Sequence, residues 1–401
     1  MASVTPNRLS GRTVRGSGQD RELEALIVLS RTPGLGLRTV RRLVDRHGGA
    51  ARALRIVRSA SPEGLRELCG RRATRGGVDR ATGPGAMARA RGILEAAGAK
   101  GLGVVGYGGA GYPPALRDLS DPPPVLFSRG RLPPDAGRAV AVVGTRAASS
   151  YGLRTAYTLG RELGRWGWTV VSGMARGIDA AAHAGALDAG GHSTGVLGTG
   201  HDHEYPTENR ALYGRMRAEG LLLSEFDPGA PPTRSAFPRR NRVIAALVRG
   251  VIVVEAGGKS GALITADHAL DLGREVLAVP GRIDDPAAAG CLRLLRQGAG
   301  LVARAQDAFD ALGWLHLTAE DGPGPEVDGG SAPRSRGNTP SPDAELLRAL
   351  SRRSQSPDEL AVGLELPVSH VLRGLGRLEL EGWVERGAGG RFSTVRRPTV
   401  P

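Results

Sequence analysis

Six short apolar runs set the rhythm of the chain's centre: AVAVVG (139–144), TVVSG (169–173), STGVLG (193–198), LLLSEF (221–226), VIVVEA (251–256) and EVLAVPG (275–281). Amphipathic stretches such as YGLRTAYTLGRELGRWG and IDAAAHAGALDAGG lie between them. Strands without a polar face, alternating with helices, predict a parallel sheet covered on both sides. The expected fold class is α/β, with a Rossmann-like domain over 101–315. Its first part, the Pro/Gly-rich stretch 101–138, reads as an extended connection.

Residues 21–100 read as a helical domain. RELEALIVLS, a P-G-L-G turn (Pro33 to Gly36) and a second helix ending at Gly48 give a helix-hairpin-helix or SAM-like layout. Such a hairpin either holds a phosphate on the backbone N–H groups of its second helix or serves the fold alone. TRGGVDRATGPG (74–85) reads as an irregular loop, 1–20 as a disordered lead, and 316–342 as a polar linker. Residues 343–401 offer three helix-like stretches, then strand, glycine turn and strand, the pattern of a winged helix.

Composition narrows the function classes. A 401-residue chain with 40% apolar residues is large enough for two or three cored domains. No run approaches the roughly 20 apolar residues that cross a bilayer, and the N-terminus lacks the apolar segment of a secretory signal. Cys69 and Cys291 stand alone, which argues against a zinc site or disulfide framework and for a reducing cytoplasm. The net charge of +14 is concentrated: residues 1–100 carry 20 basic against 8 acidic side chains. Codon bias in a GC-rich genome accounts for arginine in place of lysine but not for scarce acids, so a polyanionic partner is expected. The winged-helix region is near neutral, which suits a protein-contact or dimerisation unit as well as duplex DNA.

Ligands of an open parallel sheet bind at the carboxyl ends of its strands. After the first strand, GTRAASSYG lacks G-x-G-x-x-G, so no dinucleotide cofactor is expected; Gly144 and Thr145 permit close backbone approach and Arg146 offers a planar fork for phosphate. After the second, SGMARGIDAAAH sets Ser172, Gly173 and Gly177 before a helix that Asp179 is placed to cap. In EAGGKSGALIT the G-K-S lacks the earlier glycine of a P-loop, since position 253 is Val; Lys259, one of two lysines, and Ser260 still stand at a helix start that favours anions. GHDHEYP aligns His201, Asp202, His203 and Glu204 with no third His or Cys partner, which reads as a solvated loop, not a metal site. His183 reads as a packed helix residue.

RSAFPRRNRVIAAL (234–247) sets one of only five phenylalanines, Phe237, in a proline-marked turn among Arg234, Arg239, Arg240 and Arg242. A phenylalanine staple with solvated arginines is the structural reading. A shelf for a base beside cations for phosphates is the functional one, and it favours single strands because a duplex hides its ring faces.

VVGTR, SGMARGIDAAAH, GTG-x-D-x-x-YP (Gly198 to Pro206), FP-x-RNR and EA-x-x-x-SG-x-LIT, in that order, resemble the DNA-processing protein A family (DprA, also called Smf) across about 105–310. The resemblance implies a homodimer that binds and protects single-stranded DNA and loads the RecA recombinase during natural transformation, without catalysis. It carries DNA contact to Gly144, Thr145 and Arg146, to Ser172, Gly173 and Gly177, to Phe237, Arg240, Asn241 and Arg242, and to Lys259 and Ser260. Arg234 stands where relatives often carry a basic residue. The alternative is a nucleotide-processing enzyme resembling the cytokinin-activating phosphoribohydrolases. That chemistry uses a catalytic glutamate soon after P-G-G-x-G-T, and AGGKSGALIT is followed by no Glu before residue 275.

Overall fold

The computed structural model describes residues 17–312 and, within 346–394, all but 351–353, 365, 367, 381–382 and 388–389. Most of the expected lead (1–16) and the whole linker 316–342 lie outside the described residues. Helix α1 (Ser17–Ser30) begins inside the stretch read as lead. It is followed by α2 (Leu37–His47), α3 (Ala50–Ser59), α4 (Pro62–Cys69), α5 (Arg75–Thr82) and α6 (Ala86–Ala99). Helix α5 replaces the expected irregular loop over 74–85. Thr74 caps it, accepting from the N–H of Gly77 at 3.2 Å, and Val78 and Thr82 are buried, which outweighs the cost of two helical glycines. Helix α2 ends as expected at Gly48, in the left-handed region at φ 69°.

The connection expected over 101–138 instead contains two strands. β1 (Gly103–Gly106) and β2 (Val125–Gly130) pair antiparallel, and β2 pairs antiparallel with the main sheet. Val125 and Phe127 close the core of the helical layer, so α1–α6 share their interior with the sheet's edge. The apolar runs then supply β3 (Ala139–Val143), β4 (Thr169–Ser172), β5 (Ser193–Val196), β6 (Leu221–Ser224), β7 (Gly250–Val253) and β8 (Glu275–Ala278), with a short β9 (Gly300–Leu301) at the far edge. The sheet order is β1-β2-β6-β5-β4-β3-β7-β8-β9, parallel from β6 to β9.

Alternation along β3 divides the core between the two faces, as period-two geometry requires. Val140 and Val142 pack with α7 (Ser150–Arg165), α8 (Ile178–Asp188) and α13 (Ala305–Ala311). Ala139, Ala141 and Val143 pack with α10 (Ala236–Ala246), α11 (Gly261–Asp271) and α12 (Ala289–Arg296), while α9 (Arg210–Ala218) covers β5 and β6. Close contact of α7 with α8 depends on missing side chains: a Cβ at Gly160 would strike the Ala182 carbonyl, and one at Gly185 the Tyr157 carbonyl.

His183, on α8, is fully buried, as expected of a packed residue, with Nδ1 2.7 Å from the Ser193 hydroxyl. Burial, aided by Arg240, pushes its imidazole down to about 3. A base whose folded pKa lies below its unfolded value gives stability that is complete above pH 6.5 and is lost as pH falls toward 3. Between pH 7 and pH 5 this histidine alone is expected to remove about 2 kcal/mol. Urea unfolding at the two pH values checks it: the loss should shrink in His183→Gln, and an equal loss in both proteins would refute the assignment.

The second compact unit contains α14 (described over 346–350), α15 (Pro357–Gly363) and α16 (Val368–Leu380), followed by the antiparallel pair β10 (Val384–Arg386) and β11 (Phe392–Thr394). Its start is locally encoded. Ser356 accepts from the N–H of Glu359 while Glu359 accepts from the N–H of Ser356, a capping box before a Pro at the first helical position. Leu346, Leu360, Val371, Leu375, Val384 and Phe392 form its core, giving the winged helix expected of this region.

Candidate functional site

Strand order reverses between β3 and β7. From β3 the chain crosses to β4 on one side, and from β7 it crosses to β8 on the other. The loops after these two strands therefore part and leave a crevice at the carboxyl edge, the usual ligand position in such sheets. Here the crevice is a cleft of 610 Å³ lined by Gly144, Thr145 and Arg146 after β3, by Arg234, Phe237, Arg240 and Asn241 on α10, and by Ser260 at the start of α11. These expected site residues share one cavity. Gly173 lines an adjoining recess with Arg146, Tyr205, Phe237 and Arg240.

The β3 loop is braced from below. Thr145 donates its N–H to the Glu255 carbonyl at 2.7 Å and accepts from the N–H of Ile178 on its own carbonyl. Gly177, at φ 76°, lies directly beneath; a Cβ there would collide with the Thr145 carbonyl. Its task is to support the loop that presents Arg146. Ser172 is fully buried and donates to the Val142 carbonyl at 2.7 Å, so its hydroxyl closes the sheet and does not face the cleft. Asp179 is not the cap expected of it, because the cap position falls on Gly177. Its Oδ2 instead accepts from the N–H of Gly173 at 3.0 Å and of Ala175 at 3.4 Å, folding the loop back on the helix. Burial pushes its carboxyl up, against the pull of Arg240.

Phe237 and Pro238 belong to the first turn of α10, not to a preceding turn; proline is tolerated there because that N–H has no helical partner anyway. The half-buried Phe237 ring is held on two sides. A Cβ at Gly198 would lie 2.6 Å from it, and the Tyr205 ring stands 5.4 Å away. The exposed guanidinium of Arg146 lies over the ring at 5.2 Å. Tyr205, 42% exposed and joined to Pro206 by a cis peptide, lines both the cleft and the recess. It is absent from the expected site, although the Y-P dipeptide of the resemblance marked it.

The arginines of FP-x-RNR have separate duties. Arg240 is buried and donates to the carbonyls of Gly173 (2.7 Å) and Val196, while burial lowers it to about 10, so it stays cationic at neutral pH. A Cβ on Gly173 would stand 2.6 Å from this guanidinium, which explains the glycine. Asn241 donates to the Gly261 carbonyl at 3.2 Å and ties α10 to α11. Arg242 points away from the cleft and is buried on Glu225 (2.6 Å) and Asp121 (3.3 Å), which takes it out of the expected DNA-contacting set. Arg234 is exposed at the cleft mouth. Ser260 caps α11 by accepting from the N–H of Ala262, and Lys259 stands exposed beside it without lining the cleft.

The GHDHEYP side chains disperse. His201, expected in a solvated loop, is tucked against the Phe127 carbonyl at 3.1 Å and pushed down to about 4 by burial. Asp202 pairs with Lys100, His203 meets the Gly229 carbonyl, and Glu204 pairs with Arg217 at 2.6 Å. Among the described residues no three His, Cys, Asp or Glu side chains converge as metal ligands, and no helix is long and apolar enough to cross a membrane.

The sequence matches the family described as DNA recombination-mediator protein A over residues 103–313 and a DprA winged helix domain over 330–390. DNA processing protein DprA of Bacillus subtilis (strain 168) is 42% identical over 221 residues, spanning 55% of this chain and 74% of that protein. Protein Smf of Escherichia coli (strain K12) is 39% identical over 296 residues, 72% of this chain and 78% of the relative. The X-ray structure of DprA from Streptococcus pneumoniae matches with a TM-score of 0.60 at 33% identity, covering 73% of this chain and 97% of that one.

Proposed function

The chain belongs to the DNA recombination-mediator protein A family, and on that premise we propose that its cleft binds single-stranded DNA. The observation that carries this reading is the half-buried Phe237 ring under the Arg146 guanidinium, with Tyr205 beside it, in a cleft whose rim is cationic. Arg146, Arg234 and Lys259 take phosphates, together with backbone donors of the Gly144–Thr145 loop and the start of α11 at Ser260. Phe237 and Tyr205 offer ring surface to unpaired bases, which tolerates any sequence. Arg240, Asn241, Ser172, Gly173 and Gly177 hold those groups in place. Asp179, the carboxylate in the cleft wall, has one oxygen committed to two backbone N–H groups and holds the Gly173–Ala175 loop in shape.

We extend the reading along the family resemblance: a cytoplasmic homodimer that protects incoming strands and loads the RecA recombinase onto them during natural transformation. Dimerisation raises affinity through effective concentration, without new contacts per subunit. Titration of the purified chain with a fluorescent oligonucleotide, single against double stranded, at two salt concentrations tests the cleft. Tighter single-strand binding is expected, with log K falling by about 0.7 per neutralised phosphate for each decade of salt. Equal or tighter duplex binding overturns the reading, and release of free base from a nucleotide panel would establish the phosphoribohydrolase alternative.

A further inference from the structure

Arginines outside the cleft gather around the turn between α1 and α2. Helix α2 buries Val40, Leu43 and Val44 and exposes Arg38, Arg42 and Arg46 as a stripe at four-residue spacing. Arg42 reaches across to donate to the Leu68 carbonyl at 2.7 Å, at the end of α4. The turn itself rests on the following loop, for a Cβ on Gly34 would strike the Arg72 carbonyl. The exposed Arg71 and Arg72 thereby join the stripe.

Among the described residues none of these five arginines has a carboxylate within ion-pair distance. The acids nearby are used elsewhere: Asp45 faces Arg41 and the Tyr107 hydroxyl, Asp79 pairs with Arg75, and Glu22 holds the N–H of Ala50. Glu63 and Glu67 on α4 stand exposed with no ion-pair partner among the described residues. A surface of one sign raises the local concentration of a polyanion and repels itself without one.

The patch is fastened to the rim of the cleft. Arg31, in the same turn, pairs with Asp227 after β6, and Lys100 pairs with Asp202 after β5. From Asp227 the backbone needs seven residues to reach Arg234 at the cleft mouth, a span of at most about 25 Å. We infer that the arginine surface formed by α2 and the α4–α5 loop carries the phosphodiester backbone of the same single strand after it leaves the cleft. It is a sequence-blind electrostatic track whose ligand chemistry is the phosphate, with no ring shelf. The inference rests on the cleft reading and adds a direction to it.

The test uses the full chain with Arg38→Ala, Arg71→Ala and Arg72→Ala combined, three exposed side chains with no hydrogen bond among the described residues. Arg154→Ala, Arg161→Ala and Arg165→Ala on α7 remove equal charge elsewhere and serve as the control. Each is titrated with oligothymidylate of about six nucleotides, within the range one binding fold occupies, and of roughly thirty. The patch variant is expected to bind the long strand about tenfold more weakly, with a salt slope lower by about 2, and to keep its affinity for the short one. Equal weakening at both lengths, the same loss in the control, or no loss at all overturns the inference. So does a loss confined to a duplex probe. Phe237→Ala measured alongside separates the two readings. If the cleft assignment alone is wrong, Phe237→Ala leaves both lengths unchanged while the patch variant still weakens the long strand.

Discussion

Phe237→Ala is expected to weaken single-strand binding roughly 5- to 150-fold with its salt slope unchanged, whereas Arg146→Ala lowers affinity and slope together. The first figure is the about 1–3 kcal/mol that a base gains by stacking on an aromatic side chain. The ring is already held by Gly198 and Tyr205, so little ordering cost is left for binding. Its loss removes apolar contact but no charge, and counterion release stays the same. Arg146 acts in two opposing ways. In the free protein it covers the ring at 5.2 Å, so a base must displace it or use the neighbouring Tyr205 surface. Once displaced, its fork meets a phosphate. Arg146→Ala uncovers the shelf and forfeits that contact, and the slope should fall by about 0.7. Each single variant is spared the cost of separating the guanidinium from the ring, so the two losses should be more than additive in a double variant. Affinities within twofold of the parent for both single variants, or an equal drop in slope for both, would remove the site.

The sheet was legible because a parallel sheet buried on both faces writes itself as unbroken apolar runs, as in AVAVV of β3. β1 and β2 were hidden because their sequence carries the glycines and prolines of a connection, and they are strands only because β6 offers an open antiparallel edge. Helix α5 depended on Thr74 and on buried Val78, signals too short to stand out beside four glycines and a proline. The cleft was legible as loops at strand ends, but the duties of its residues were not. Consecutive residues on a helix point about 100° apart. Arg239, Arg240 and Arg242 thus reach different surroundings: one over the Phe226 ring, one onto carbonyls of the β4 and β5 ends, one onto Glu225 and Asp121. Those partners lie at distances along the chain that no local pattern reports. Ser172 was misread for the same reason, its hydroxyl being turned toward β3.

The Arg242–Glu225 pair yields the largest effect on stability. Its guanidinium and the Glu225 carboxylate are 5% and 1% exposed and 2.6 Å apart. Removing one member of a buried pair strands the other and typically costs about 3–5 kcal/mol. The cost should be unequal here. After Arg242→Ala, Glu225 keeps Arg239 at 3.0 Å, so its charge remains answered. After Glu225→Ala, Arg242 keeps only Asp121, itself a third exposed, and Arg242 Nη1 has no hydrogen-bond acceptor. Glu225→Ala should therefore sit at the upper end of the range and Arg242→Ala below it, as read by urea unfolding. Arg242→Met combined with Glu225→Leu should recover most of the loss, because well-packed apolar groups spare the desolvation of both charges. At a temperature where every variant is folded, the double variant should bind single strands as the parent does, since neither side chain lines the cleft. A weakening as large as that of Arg146→Ala would return Arg242 to the DNA-contacting set, and the division of labour along α10 would then have to be redrawn.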